Sequence, residues 1–172
     1  MTGREKIHLI ACGGTALTLL GYKESTKDVD LMVPNLSEYK RLITFLRRTG
    51  YRNCTTYGWR RPEETMIYDL YAGNRVYETE LLDSPLKRGG HRKIREWGKI
   101  YLGALNPIDL IITKMFRGTQ VDLEDCLMLL HQEKVSLKAL KQRYQETASY
   151  DVSETKALRN LELLLKRSRE GK

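Results

Sequence analysis

The chain has 172 residues, 41% hydrophobic and 30% charged, with a formal net charge of +8. That length can bury a hydrophobic core without disulfides or a structural metal, and it suits one domain or a compact αβ domain with a helical extension. No apolar run approaches the ~18 residues of a membrane span, so no membrane partner is expected. Met1–Lys6, followed by a short apolar stretch into Gly13-Gly14, does not read as a signal peptide, and a cytoplasmic location is expected. Cys12, Cys54 and Cys126 lack paired spacing and are expected to be small buried residues in a reducing compartment. With three scattered histidines they form no zinc pattern. The positive charge is compatible with nucleic acid, nucleotides or acidic partners, and equally with solubility alone.

In chain order, Ile7 to Cys12 is an apolar run that suits a buried strand or a short helix end, broken by Gly13-Gly14. Thr15 to Leu20 reads as a short helix closed by Gly21. Val29 to Val33 reads as a strand ended by Pro34-Asn35, and Ser37 to Arg48 as a helix with Tyr39, Leu42, Ile43, Phe45 and Leu46 on its apolar side. A strand is expected within Tyr51 to Trp59, another over Thr65 to Tyr71, and an exposed one over Arg75 to Leu82. Residues 83–98, with Pro85 and three glycines, show little regular pattern, and Ile100 to Leu102 suits a short edge strand. From Pro107 the period becomes helical, with helices expected from Pro107, over Asp122 to His131, over Ser136 to Tyr144, and from about Ser153 towards Arg169. The organisation is therefore an αβ part over residues 1–103 and a helical part over 104–172. Short loops imply that the helices pack on the core.

The informative segment is Gly13-Gly14-Thr15 with Thr26-Lys27-Asp28-Val29-Asp30-Leu31. On an extended segment Asp28 and Asp30 point to one face, because side chains alternate with a period of two. Two carboxylates so placed repel unless a cation lies between them, and hard divalent ions favour carboxylate and polyphosphate oxygens together. The glycines allow a tight turn and close approach to a ligand, and the helix that follows offers unpaired N–H groups to phosphate.

These motifs resemble the nucleotidyltransferase (DNA polymerase beta-like) superfamily, in particular the small bacterial and archaeal branch that includes the AbiE-type toxin enzymes. The resemblance implies an α+β fold with an α/β-type core, a small mixed sheet flanked by helices, and a C-terminal helical portion. It implies transfer of a nucleoside monophosphate from a nucleoside triphosphate such as ATP to a hydroxyl. Asp28 and Asp30 match the ligands of magnesium, with manganese as a substitute, and Gly13 and Gly14 match phosphate-facing glycines, with Thr15 beside them as a nucleotide-binding residue. The superfamily's third catalytic carboxylate and metal ligand is best matched by Asp69, with Glu78 or Glu80 as rivals. In the helical part, Lys114 and Arg117 match nucleotide-binding residues, and Asp122 or Asp125 would orient Lys114 or the acceptor.

Between Lys87 and Lys99 lie Lys87, Arg88, Arg92, Lys93 and Arg95, and Arg60-Arg61 follow Trp59. Basic side chains contact phosphates and aromatics stack on bases, so Arg60, Arg61, Lys87, Arg88, Arg92 and Lys93 are candidate contacts for an RNA acceptor such as tRNA. A solvated loop accounts for them equally well. His91 alone does not suggest catalysis. Besides RNA modification, with a cognate antitoxin as partner if the chain is a toxin, three readings stand. They are nucleotidylation of a small molecule or protein, a catalytically silent nucleotide- or partner-binding module, and a purely structural interaction protein.

Overall fold

The computed structural model describes residues 6–171. Residues 1–5, on which the reading of the N-terminus partly rests, and residue 172 lie outside them. The element order is β1 Ile7–Ala11, α1 Gly13–Leu19, β2 Val29–Val33, α2 Leu36–Arg48, β3 Arg52–Asn53, β4 Gly58–Arg60, β5 Tyr68–Ala72, β6 Arg75–Val76, β7 Thr79–Glu80, β8 His91–Trp97, β9 Ile100–Leu105, α3 Pro107–Arg117, α4 Gln120–Gln132, α5 Leu137–Ser149 and α6 Glu154–Glu170. The fold is α+β. No helix among the described residues is long and apolar enough to cross a membrane.

Two compact units divide the chain. The first runs to Val76 and resumes over Asp83–Asn106; the second takes Tyr77–Leu82 and everything from Pro107.

The first unit is built on a seven-stranded mixed sheet of order β3-β4-β5-β2-β1-β9-β8. β1 pairs antiparallel with β2 and parallel with β9, and β2 runs parallel to β5. The central strands carry the core: Ile10, Ala11, Met32 and Val33 are fully buried, and Leu70 and Tyr71 nearly so. Helix α1 packs on β1, β2 and β9, and α2 on β1 and β2. Asn35 caps α2 by accepting a hydrogen bond from the Ser37 N–H at 3.0 Å, satisfying one orphan donor of the first turn. A buried carboxylate of α2, Glu38, accepts from the His8 backbone N–H at 2.7 Å and faces the His8 imidazole at 3.1 Å, tying the helix to β1.

Four sequence expectations are corrected here. Residues 83–98 are not patternless, since they contain β8, whose alternation is broken by a register shift between Lys93 and Arg95 and obscured by charge. β8 is the outer strand, and charged side chains suit an edge that must not pair with another chain. Ile100–Leu105 is not an edge strand, because it is held between β1 and β8, with Ala104 and Leu105 buried. The strand expected over Arg75 to Leu82 is interrupted at Tyr77, which turns the chain with φ +52° and leaves only β6 and β7. Cys54, expected to be buried, is exposed, because it lies in the tight connection between β3 and β4 where its N–H bonds to the Gly58 carbonyl.

The second unit is a cluster of four helices. α3 contacts α4, α5 and α6, and α6 also contacts α4 and α5. Leu110, Ile111, Ile112, Met115, Cys126, Leu129, Leu140 and Leu164 fill it. Polar anchors add to this apolar core: Arg143 of α5 grips buried Asp109 of α3 at 2.6 and 3.2 Å, and Asn160 of α6 donates to the Met115 carbonyl at 2.7 Å. Helix α4 opens with a capping box, in which Thr119 accepts from the Asp122 N–H while the Asp122 carboxylate accepts from the Thr119 N–H.

Candidate functional site

The site begins where β1 ends. Cys12 N–H bonds to the Asp30 carbonyl at 3.1 Å, the last rung between β1 and β2 before the chain turns into α1. Gly13 makes that turn with φ +54°, in the left-handed region open to glycine. A β-carbon at Gly13 would stand 2.6 Å from the Asp30 Oδ2, so this glycine is needed for the Asp30 carboxylate to lie against the start of α1. A β-carbon at Gly14 would stand 2.9 Å from the Thr26 hydroxyl.

Asp30 and Asp69 are direct register partners on the parallel strands β2 and β5, so their side chains leave the sheet on one face. Asp28 lies just before β2 and is exposed, whereas Asp30 is buried. The Asp69 pKa is raised, first by burial and then by the negative charges of Asp30 and Asp28. The three carboxylates therefore feel one another. Tyr71, on the same face as Asp69 two residues earlier in the strand, donates its hydroxyl to the Asp30 Oδ1 at 3.4 Å and packs against the tilted Tyr57 ring at 4.9 Å between ring centroids. Sequence reasoning missed Tyr71, although its period-two spacing from Asp69 was the available signal. Of the three carboxylates left open for the third position, Asp69 is the one aligned with Asp30. Glu78 and Glu80 belong to the second unit and are exposed.

Among the described residues, no group of three or more His, Cys, Asp or Glu side chains converges tightly enough to hold a metal ion. The donor chemistry nevertheless fits a hard divalent ion. Asp28, Asp30 and Asp69 offer only carboxylate oxygen, and the mutual repulsion that raises Asp69 is what a cation would relieve.

Lys114, Arg117, Asp122 and Asp125 form a cluster of their own in the second unit. Lys114 is buried, 4% exposed, with its ammonium 2.7 Å from Asp125 and 3.5 Å from Asp122. Arg117 forks onto Asp122 at 2.8 and 2.6 Å and lies 4.9 Å over the Tyr77 ring. Burial pushes the Asp122 pKa up, but the Arg117 and Thr119 hydrogen bonds outweigh it and bring it to about 2. The Asp122 hydrogen bonds raise the Arg117 pKa still further above its ordinary value. In this arrangement the four side chains satisfy one another.

The basic candidates do not form one patch. Arg60 is on β4, whereas Arg92 and Lys93 are on β8, and β5, β2, β1 and β9 lie between these strands. At the ordinary strand spacing this is a separation of about 24 Å. Arg61 is already engaged, donating to the Thr49 carbonyl at 3.0 Å and lying over the Tyr51 ring. Lys87 pairs with Asp83, and Lys93 with Glu96 at 2.7 Å. Arg60, Arg88 and Arg92 are exposed. His91 is a structural residue: its ring nitrogens face the Pro85 carbonyl at 2.6 Å and the Tyr101 hydroxyl at 2.7 Å.

Residues 92–170 match the model of a family described as nucleotidyltransferase of unknown function (DUF6036). The match supports the nucleotidyltransferase superfamily. It covers less than half of the 172 residues and begins within β8, beyond Asp28, Asp30 and Asp69. No curated protein matches the chain significantly. Among solved structures, the chain is similar to the solution structure of the antibiotic-resistance factor ANT(2'')-Ia, at 14% identity and a TM-score of 0.46, over 95% of this chain and 85% of that one.

Proposed function

We propose that the chain is a divalent-metal-dependent nucleotidyltransferase that moves a nucleoside monophosphate from a nucleoside triphosphate to a hydroxyl, with the carboxylates of β2 and β5 as its reaction centre and RNA as the first acceptor to test. The observation that carries this reading is the register of Asp30 with Asp69, beside Asp28 and against the glycine turn. Independent support comes from the other end of the chain, where the family match falls outside these residues. Asp28, Asp30 and Asp69 would hold magnesium or manganese, and rotation of the exposed Asp28 side chain is the inexpensive way to bring the donors together. When bound, the ion supplies positive charge against the triphosphate and the departing pyrophosphate.

The chain's own residues have distinct tasks in this reading. The acceptor hydroxyl forms a new bond to the α-phosphorus, the bond from that phosphorus to the bridging oxygen breaks, and pyrophosphate leaves with the electron pair. Asp69, the register partner of Asp30 on the neighbouring strand, is the carboxylate placed to accept the hydroxyl proton. Asp30, buried and held by Tyr71, is the fixed point of the set. The exposed basic residues along and beside β8, Arg88 and Arg92 among them, are the acceptor contacts tested first because they fall within one stretch of chain, and Arg60, on β4 next to the carboxylate-bearing β5, is the rival contact.

The test is transfer of label from α-labelled ATP, CTP, GTP and UTP, each with magnesium, to total cellular RNA, with wild type beside Asp28→Ala/Asp30→Ala. Label on RNA that vanishes in the double variant is the expected outcome and names the donor. Label on protein or on a small molecule moves the acceptor to that class. Nucleotide binding without transfer to RNA, protein or small-molecule extracts would overturn turnover and leave a binding module.

A further inference from the structure

Resting on the proposed reaction centre, we infer that Thr15 is a positioning residue for the paired carboxylates, and that Gly14 serves the same clamp by making room for Thr26. The Thr15 hydroxyl reaches across from the first turn of α1 to the segment that bears both carboxylates. Its oxygen accepts from the Asp30 backbone N–H at 2.8 Å and its hydrogen is directed to the Asp28 carbonyl at 3.2 Å. Both hydrogen-bonding roles of the one hydroxyl are thus spent on the residues on either side of Val29. Thr26 donates to the same Asp28 carbonyl at 3.0 Å. It can do so because Gly14 has no side chain, since a β-carbon there would meet the Thr26 hydroxyl at 2.9 Å.

These contacts lie where the sheet ladder gives out. Asp30 is within β2, but Asp28 precedes it, so strand pairing alone does not fix the backbone that aims the Asp28 side chain. Two threonine hydroxyls supply the constraint in its place. Thr15 is itself held, 7% exposed, between helix and strand. Gly13 contributes by admitting the Asp30 carboxylate, and Gly14 by admitting Thr26, so the Gly13-Gly14-Thr15 run acts on the carboxylates from the protein side. This differs from a role in touching the nucleotide. A hydroxyl facing phosphate would have its oxygen or hydrogen turned outward, whereas this one is turned to Asp28 and Asp30.

Groups that orient metal ligands typically change metal affinity by about 10- to 100-fold when removed. The experiment compares wild type, Thr15→Val and Thr15→Ser in the full chain by two readouts, manganese titration followed by electron paramagnetic resonance and hydrogen exchange of the Asp30 amide. Valine keeps the β-branched shape without the hydroxyl, and serine restores the hydroxyl. The expected result is manganese binding weakened by about 10-fold or more in Thr15→Val and restored in Thr15→Ser. The Asp30 amide should exchange faster in Thr15→Val alone, while amides of β1 and β9 stay protected. Should Thr15→Val fail to fold, Thr26→Val removes one of the two bonds to the Asp28 carbonyl and gives the manganese comparison alone, where unchanged affinity overturns the clamp. Wild-type affinity in the valine variant, or an Asp30 amide as protected as before, overturns the inference. If wild type takes up no manganese, the metal reading of the site fails separately, and the Asp30 amide alone decides whether Thr15 holds the segment.

Discussion

In an unfolded chain Asp69 titrates near the ordinary aspartate value, about 3.9. In the fold its pKa is raised, by burial first and then by Asp30 and Asp28. The folded state therefore binds more protons than the unfolded one, and stability falls as pH rises from the unfolded pKa through the raised one. Asp69→Asn keeps the shape and removes the repulsion. Without divalent ions the variant is expected to melt at a higher temperature than wild type at neutral pH, and the difference should shrink as pH falls through the raised pKa and be gone below about 4, where Asp69 is protonated in both states. Added magnesium should then raise the melting temperature of wild type and leave the variant unmoved. A variant less stable than wild type at pH 7 would mean that favourable partners, rather than repulsion, govern this carboxylate. Asp69 was legible from the strand pattern around it, as were Asp28 and Asp30 from their spacing. The clamp formed by Thr15 and Thr26 was not, because a hydroxyl's partners are set by how a helix end meets a strand, and residue type does not encode that.

At the scale of elements, the helices were read in chain order because apolar residues at a 3.6 period must face a core, and Ile111, Ile112 and Met115 do so. Strands fared worse where pairing decided the outcome. Ile100–Leu105 has the same composition whether it lies at an edge or between two neighbours, and β8 hides its period under charge. The pair α3 and α4 holds a further lesson. The sequence assigned Lys114 to the nucleotide with Asp122 or Asp125 orienting it or the acceptor; in the fold its ammonium is buried against both carboxylates. Removing one partner of a buried ion pair strands the other charge, at a cost of about 3–5 kcal/mol, whereas replacing both with apolar groups is often neutral or better. Asp125→Ala is thus expected to lower the urea-unfolding free energy by about that amount, and Lys114→Met/Asp125→Leu by much less. Asp125→Ala with near wild-type stability would show that the Lys114 ammonium relaxes to another acceptor, as a ligand-binding lysine can.

At the scale of the whole molecule, the net charge of +8 says nothing about where an anion would bind, but the sheet order does. With Arg60 on β4 and Arg92 on β8, a short single strand of RNA following one groove cannot use both ends of the sheet through neighbouring phosphates. The edge beside β8 is the better electrostatic track, because Arg88, Arg92 and Lys99 are exposed there within one stretch of chain. Each phosphate contact on a single strand contributes about −0.7 to the slope of log affinity against log salt concentration. The Arg88→Ala/Arg92→Ala/Lys99→Ala variant is therefore expected to flatten that slope by about 2 for a single-stranded RNA, while Arg60→Ala leaves it unchanged. Nucleoside triphosphate affinity should hold in both, since neither variant touches the carboxylates or the glycine turn. Equal flattening by Arg60→Ala would place RNA across the sheet instead of along its edge. No salt-dependent RNA binding in wild type would assign the positive charge to solubility and turn the search for the acceptor to small molecules and proteins.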